Sequence, residues 1–340
     1  MGDASGIGPE IIAKALSDSR VYESCIPVVF GDREPMLDAI RFTKSDLKLN
    51  CIKNPEDAQG QYGIIDLIDF ELVKAGSWQY KKVCEISGES SFQYIVKSID
   101  MALQGRIHAV VTGPINKESI NLAGHHYSGH TEIFAHYTGC DDYAMMLVSP
   151  TLKVIHVTTH VALRQACEII LQNPRRIENT IKLAQVGMGL LGIKNPRIAV
   201  AGLNPHCSEN GLFGNEETES IIPAINNCKA QGVNVTGPIP PDTVFIKAVG
   251  GQYDIVVAMY HDQGHIPLKM SGFKIDPTTG HFTSMSGVNT SIGLPIIRTS
   301  VDHGTAFEIA GEGRANCDSM LEAVEMAVLM AINKSKGASI

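Results

Sequence analysis

The sequence predicts an α/β fold with a largely parallel central sheet. Short runs rich in β-branched residues alternate with longer segments whose apolar residues recur at helical spacing. This alternation is typical of strands joined by crossover helices. Of the 340 residues, 44% are hydrophobic and 19% are charged, which is enough apolar material for one large core or two ordinary ones.

The elements are expected in the following order. The chain opens on a turn at residues 6–10 with Pro9 near a helix start, a pattern typical of a strand-to-helix junction, although no strand precedes it. Buried strands are predicted at residues 26–30, 108–112, 154–158, 197–201 and 255–259. Helices are predicted at residues 90–103, 175–191, 216–231 and 318–332.

Two polar, glycine-rich stretches, near residues 122–129 and 272–288, indicate crossings between two domains. We therefore expect a discontinuous first domain of residues 1–125 and 290–340 and a second domain of residues 126–289. The last helix would then return to the first domain.

The bulk composition excludes several classes of protein. A formal net charge of -8 gives no electrostatic reason to expect a nucleic-acid partner, although local cations still allow a small anionic substrate. There is no apolar run of membrane-spanning length and no secretory leader pattern, so we expect a cytoplasmic protein with no membrane contact. The eight cysteines form no C-x-x-C pair and are expected to be reduced and mostly buried.

Three histidines, His160, His206 and His261, stand at the ends of predicted strands. Open α/β sheets place their sites in the loops after parallel strands. Three imidazoles with a vacant fourth position are typical of a catalytic site for Zn, Co, Ni or Fe. Their separations are no metal motif by themselves, because a histidine at a strand end is more often a surface or hydrogen-bonded residue. Asp262 either orients the imidazole beside it or caps its loop.

Donors that suit phosphate or carboxylate oxygens lie in two further polar regions. One region carries Lys269, Asn289 and Arg298, and the other carries His130 and Thr131. Lys117 follows a predicted strand in a turn that fixes its position. Taken singly, each of these residues is more often an ordinary solvated surface residue.

The usual dinucleotide fingerprint, G-x-G-x-x-G, is absent. Gly311 and Gly313 begin such a pattern, but Asn316 stands at its last position. The residue pattern alone therefore predicts no dinucleotide cofactor.

Several blocks of the sequence, which occur in the same order along the chain, resemble the 4-hydroxythreonine-4-phosphate dehydrogenases. They are residues 2–10, 111–117, 130–132, 202–206, 260–264 and 299–306. Residues 303–316 also resemble the adenosine-side coenzyme loop of isocitrate and isopropylmalate dehydrogenases, which bind NAD(P) on a fold that is not Rossmann. The resemblance implies that two-domain fold.

The resemblance also implies roles for individual residues. His160, His206 and His261 would bind a divalent metal, with ligands from both subunits of a homodimer. Zinc is the first candidate for this metal, and cobalt and magnesium are the alternatives. Substrate would be bound by His130, Thr131, Lys269, Asn289 and Arg298, and NAD or NADP by His303, Gly304, Thr305, Ala306, Gly311 and Asn316. Asp242, Asp262 and Lys117 are the candidate catalytic residues.

The implied reaction is NAD(P)-dependent oxidation of 4-phosphohydroxy-L-threonine to a 3-oxo acid, which loses CO2 to give 3-amino-2-oxopropyl phosphate. One alternative is a dehydrogenase of threonate or erythronate 4-phosphate. Another, from a different class, is a non-catalytic phosphate or metal-binding protein, or an acyltransferase of the same general fold. The segment of residues 274–286 is longer than the corresponding segment of the family and lies close to the candidate substrate residues, so it bears on which substrate binds. The family usually has Pro where Ala4 or Ser5 stands.

Overall fold

The computed structural model describes residues 1–278 and 282–338, with residues 282–285 described as backbone only. The helices are α1 (Gly8–Ala15), α2 (Ser19–Ser24), α3 (Arg33–Thr43), α4 (Glu85–Leu103), α5 (Lys117–Leu122), α6 (His130–Thr138), α7 (Leu163–Gln172), α8 (Pro174–Leu190), α9 (Ile222–Ala230), α10 (Pro241–Val249), α11 (His261–Gly272) and α12 (Asp318–Ser335). Short 3-10 helices are Pro55–Asp57 and Pro205–Glu209, and a π-helix is Glu217–Ile221.

The strands carry the parallel sheets that the alternation predicts. They are β1 (Val28–Gly31), β2 (Lys48–Ile52), β3 (Ile64–Asp69), β4 (Ala109–Thr112), β5 (Ala144–Val148), β6 (Lys153–His156), β7 (Ile198–Ala201), β8 (Val235–Ile239), β9 (Ile255–Ala258), β10 (Phe273–Ile275), β11 (Phe282–Met285), β12 (Val288–Ile292) and β13 (Ile297–Val301).

The chain divides into two compact units, the first of Met1–Cys140 and Pro295–Val328, the second of Asp141–Leu294 and Leu329–Ile340. These bounds differ from the expected ones. Residues 126–140, which include α6, belong to the first unit, and residues 290–294 belong to the second. The last helix is divided between the units rather than belonging wholly to the first.

In the first unit, β1 and β2 flank β3 in a parallel sheet, and β4 pairs in parallel with β13. Met36, Ile65 and Leu67 are buried in its core. A smaller cluster joins Ile7 and Ile11 of the N-terminal segment to Ala310 and Ala315. The N-terminal segment is thereby packed against the loop that connects β13 to α12.

In the second unit, strands lie side by side in the order β12, β5, β6, β9, β7, β8. β5 runs antiparallel to both of its neighbours, whereas β6, β9, β7 and β8 are mutually parallel. Parallel strands end at the same edge of a sheet. The chain therefore leaves β6, β7 and β9 at one edge, toward His160, His206 and His261.

The predicted α/β class is confirmed, and each predicted strand and helix has a counterpart within a few residues. Other strands were missed. β5 and β12 are buried and short, with runs such as Ala144–Val148 that offer no alternation to separate a strand from a helix.

Candidate functional site

The loops after β6 and β9 run beside each other in the second unit. Val157 N donates to Ala258 O at 2.8 Å, and Thr158 donates to Met259 O from both its amide and its hydroxyl. This continuation of the parallel pairing carries His160 and His261 to the same place, with ring centroids 5.7 Å apart. Two of the predicted histidines are thus neighbours.

His261 is held in a fixed orientation at the start of α11. Its Nδ1 lies 2.6 Å from Asp262 Oδ1, and its ring stacks on that of His265 at 3.6 Å between centroids. The hydrogen bond from His261 lowers the pKa of the Asp262 carboxyl. With Nδ1 donating to a carboxylate, Nε2 is left as an acceptor, the state of a metal-binding imidazole.

A cavity of about 280 Å³ opens beside these side chains. His160, Tyr260, His261 and Asp262 line it together with apolar residues, among them Leu163. This combination of polar groups on an apolar wall is typical of a small-molecule site.

His156 and His265, which were not among the predicted site residues, lie beside His261. His156 is fully buried at the end of β6, its ring 4.8 Å from that of His265, and burial lowers its pKa to about 3. A side chain at position 264 would meet His156 Nε2 at 2.4 Å, so only Gly264 fits there. Buried Gln263 joins this region to the loop after β7, accepting from Met259 N and donating to Gly202 O.

His206 lies in a different kind of structure. It is exposed, and residues 206–210 all have positive φ, between 45° and 67°. Non-glycine residues adopt this conformation only when their surroundings enforce it. Here buried Glu217 of the π-helix accepts from Leu203 N and Asn204 N at 2.8 Å and from Ser208 Oγ.

The donor set of one chain fits a divalent metal only in part. His160 and His261 form a pair with an orienting carboxylate, which suits such an ion. No group of three His, Cys, Asp or Glu side chains within residues 1–278 and 282–338 is arranged to hold one. His206 is therefore not joined to the pair within a single chain.

The other predicted residues of the second unit are dispersed. Asp242 is exposed in the first turn of α10. Burial raises the pKa of Cys207, and the nearby charges of Glu217 and Asp242 raise it further, so Asp242 lies near the His206 loop. Lys269 lies over the ring of Phe273. Asn289 on β12 donates to Met145 Sδ, and its buried Oδ1 has no hydrogen-bond partner among the described residues.

In the first unit, the structure brings His130 and Arg298 together. Arg298 is only 2% exposed, donates to Thr112 Oγ1 at 2.9 Å and lies over the ring of Phe134. Burial lowers its pKa to about 9, and burial together with the Arg298 charge lowers the pKa of His130. His130 Nε2 is buried without a hydrogen-bond partner in the described part of the chain.

This arrangement can bind an anion. A negatively charged ligand would stabilise the buried Arg298 guanidinium in addition to the charge of Glu132. A hydroxyl or an acid oxygen of the ligand would form a hydrogen bond with the buried Nε2 of His130. Thr131 follows in the first turn of α6, and Lys117 is exposed at the start of α5. Thr112 was missed because nothing in the sequence pairs it with a residue 186 positions away.

Residues 303–316 form the connection from β13 to α12 in the same unit. His303 Nδ1 contacts Gly304 O at 3.0 Å, Thr305 O accepts from Ile7 N, and Asn316 Oδ1 accepts from Asp318 N. Ala306 and Gly311 both have positive φ. The predicted coenzyme residues thus share one compact loop.

Among the residues that the structure describes, no helix is long and apolar enough to cross a bilayer. Comparison with known proteins gives a match over residues 23–327 to the family of the pyridoxal phosphate biosynthetic protein PdxA. A D-threonate 4-phosphate dehydrogenase from Cupriavidus necator is 45% identical over 98% of this chain and 97% of that protein. A 4-hydroxythreonine-4-phosphate dehydrogenase from Trichlorobacter lovleyi is 42% identical over the same shares of both chains.

The same similarity extends to solved structures. The crystal structure of a 4-hydroxythreonine-4-phosphate dehydrogenase from Klebsiella pneumoniae is 44% identical, with a TM-score of 0.84 over 97% of this chain and 98% of that one. A terephthalate 1,2-cis-dihydrodiol dehydrogenase from Burkholderia xenovorans is more distant, at 27% identity and a TM-score of 0.64.

Proposed function

Because the chain belongs to the family of the pyridoxal phosphate biosynthetic protein PdxA, we propose that it is an NAD(P)-dependent dehydrogenase of D-threonate 4-phosphate. Relatives and structural neighbours named as dehydrogenases make it a dehydrogenase of a phosphorylated hydroxy acid. The observation that carries the finer proposal is the 45% identity, over nearly the whole chain, to a D-threonate 4-phosphate dehydrogenase. 4-Phosphohydroxy-L-threonine is the second candidate, favoured by the relative from Trichlorobacter lovleyi.

The proposed oxidation takes place at C3 of the substrate. The C3–H bond breaks, its hydride passes to NAD(P)+, and the hydroxyl proton passes to a base. The 3-oxo acid then loses CO2, because the adjacent carbonyl accepts the electron pair, and protonation at C2 gives dihydroxyacetone phosphate. From 4-phosphohydroxy-L-threonine the same steps give 3-amino-2-oxopropyl phosphate.

We assign an anionic group of the substrate to His130, Thr131 and Arg298 of the first unit. Lys269 and Asn289 of the second unit are further candidate substrate-binding residues. Buried Arg298 supports this assignment most strongly, since a guanidinium binds phosphate or carboxylate through paired hydrogen bonds. Holding an anionic group of a small acid restricts the orientation of its C3–H bond, which favours hydride transfer. Residues 303–316 of the first unit would bind NAD or NADP.

A divalent metal, zinc rather than cobalt or magnesium, would be held by His160 and His261 of one chain and His206 of a second copy. When bound, such an ion polarises the substrate hydroxyl and lowers its pKa. Asp262 orients His261 through Nδ1, which leaves Lys117 and Asp242 as the candidate bases.

In this proposal a homodimer supplies the third ligand, because His206 does not join His160 and His261 among the described residues of one chain. The second unit exposes large apolar side chains, including Leu212, Ile246 and Met270, which are 71%, 73% and 80% exposed. Exposed apolar side chains of this size favour a protein interface. Exposed His206 is in the same unit and is available to a second copy.

Initial rates of NAD(P)+ reduction test the proposed substrate. D-threonate 4-phosphate, D-erythronate 4-phosphate and 4-phosphohydroxy-L-threonine are compared at equal concentrations with Zn²⁺, Co²⁺ or Mg²⁺ present. We expect the largest kcat/KM with D-threonate 4-phosphate. Turnover of 4-phosphohydroxy-L-threonine alone would replace the substrate, and no turnover with any of the three would refute the proposal.

A further inference from the structure

The N-terminal block of residues 2–10 stood out in the sequence without acquiring a role in the site, and its contacts suggest one. Gly6 lies so close to Thr305 that an added Cβ would come within 2.9 Å of the threonine Cβ. Ile7 N donates to Thr305 O at 3.0 Å. The segment before α1 therefore lies directly against the first half of the 303–316 loop.

The second half of that loop is held by an ion pair on α1. Glu10 and Lys14 are one helical turn apart, with Lys14 Nζ 3.2 Å from Glu10 Oε1. Glu10 is fully buried and its Oε1 accepts from Ala315 N at 2.6 Å. Lys14 Nζ donates to Gly313 O at 2.8 Å and to Ala315 O at 2.6 Å.

Three oxygen atoms surround the Lys14 ammonium group. Lys14 Nζ donates to Gly313 O and Ala315 O, and it forms an ion pair with Glu10 Oε1. The backbone N–H and C=O of Ala315 are thereby both satisfied by this pair, in which Glu10 is buried and Lys14 is 25% exposed.

Other contacts to the loop are weaker. Lys81 donates to Glu308 O and pairs with Glu312, but both side chains are more than a third exposed. Water and salt screen such pairs, so they hold a loop less firmly than a pair whose carboxylate is fully buried. The Glu10–Lys14 pair is thus the principal polar anchor between α1 and the loop.

We propose that Glu10 and Lys14 are positioning residues for the coenzyme, which hold residues 303–316 in the conformation that binds the adenosine side of NAD(P). This inference rests on the proposed function, because it assigns coenzyme binding to that loop. A loop that is ordered only part of the time binds its ligand more weakly in proportion to the ordered fraction. Loss of the pair therefore weakens coenzyme binding without acting on the anion site around Arg298.

The test measures NAD(P)H binding by fluorescence in wild type and Lys14→Met, with the KM of the phosphorylated substrate at saturating coenzyme. We expect the coenzyme Kd to rise about tenfold and the substrate KM to stay unchanged. Leu67→Ala, which removes a buried side chain in the same unit away from the loop, is the control for lost stability. A Kd for Lys14→Met equal to that of wild type or of the control would overturn the inference.

Lys14→Met leaves a buried carboxylate without its cation, so it can fail to fold. The double variant Glu10→Gln with Lys14→Met removes both charges and is expected to show the same rise in Kd. Amide hydrogen exchange gives a readout independent of coenzyme. Residues 303–316 should exchange faster in the variants while α4 is unchanged, and equal exchange in wild type and variants would contradict the anchor.

The two proposals fail separately. If wild type binds no NAD(P)H while the loop still exchanges faster in the variants, the proposed coenzyme site is wrong and the coenzyme role of Glu10 and Lys14 falls with it. If wild type binds coenzyme and the variants bind it equally well, only the positioning role is wrong.

Discussion

Asp3 is a fully buried carboxyl group near the start of the chain, and its titration affects stability. Its Oδ1 accepts from Ser5 N at 2.8 Å, but burial outweighs this hydrogen bond and raises the pKa from its ordinary value of 3.8 to about 6. Between these values the folded protein keeps a proton that the unfolded chain has lost. The contribution of Asp3 to stability is therefore complete below pH 3.8 and is lost as the pH rises through about 6.

Asp3→Asn keeps the acceptor for Ser5 and removes the titration. The stability of wild type relative to this variant should fall by on the order of 3 kcal/mol between pH 4 and pH 7. Urea denaturation of both proteins at several pH values measures the difference. A difference that is constant with pH would show that Asp3 is not protonated in the folded state near pH 5.

The residue types and their positions in the sequence predicted only part of the candidate site. His160 and His261 follow adjacent parallel strands, and the structure brings them together as strand-end logic predicts. Thr112 and Gln263 were missed because their hydrogen bonds join residues far apart in sequence. His156 was missed because it is a buried residue of a strand that otherwise looks apolar. The assigned roles of the predicted residues remain predictions.

At the scale of elements, the π-helix at Glu217–Ile221 supports the left-handed run at residues 206–210. A substitution of Glu217 removes the acceptor of two backbone amides and of Ser208 Oγ. Each buried donor left unsatisfied costs about 1–3 kcal/mol. The positive-φ conformation has then lost the contacts that enforce it.

Glu217→Ala should lower the free energy of unfolding by about 3 kcal/mol and release the His206 loop. Thermal or urea denaturation measures the loss, and proteolysis within residues 204–214 reports on the loop. Glu219→Ala, at an exposed position of the same π-helix, is the matched control. Equal stability of the two variants would show that Glu217 does not hold the loop.

Helices and strands with a distinct periodicity could be predicted from the sequence. Their first and last residues, and the elements they pack against, could not. α4, α8 and α12 carry long helical patterns and were found. β12 and β13 were missed because a five-residue run within a glycine-rich region gives too little pattern. The first unit extends to Cys140 and includes α6, whereas the polar stretch at residues 122–129, from which a domain crossing was expected, precedes α6.

At the scale of the whole molecule, the incomplete histidine set within one chain predicts an obligatory second subunit. His206→Ala and His261→Ala should each abolish activity as homodimers. A heterodimer of the two, isolated with two affinity tags, has one site with both substitutions and one intact site, so it should regain about half of the wild-type rate. An inactive heterodimer would mean that the proposed ligands do not come from two chains.

The most direct test of the proposed chemistry follows the hydrogen at C3 of the substrate. D-threonate 4-phosphate carrying deuterium at C3 is incubated with NAD(P)+, and the reduced coenzyme and CO2 are both quantified. We predict that the deuterium appears in NAD(P)H and that one CO2 is released for each coenzyme reduced. Deuterium found in water, or CO2 released without reduced coenzyme, would contradict oxidation at C3.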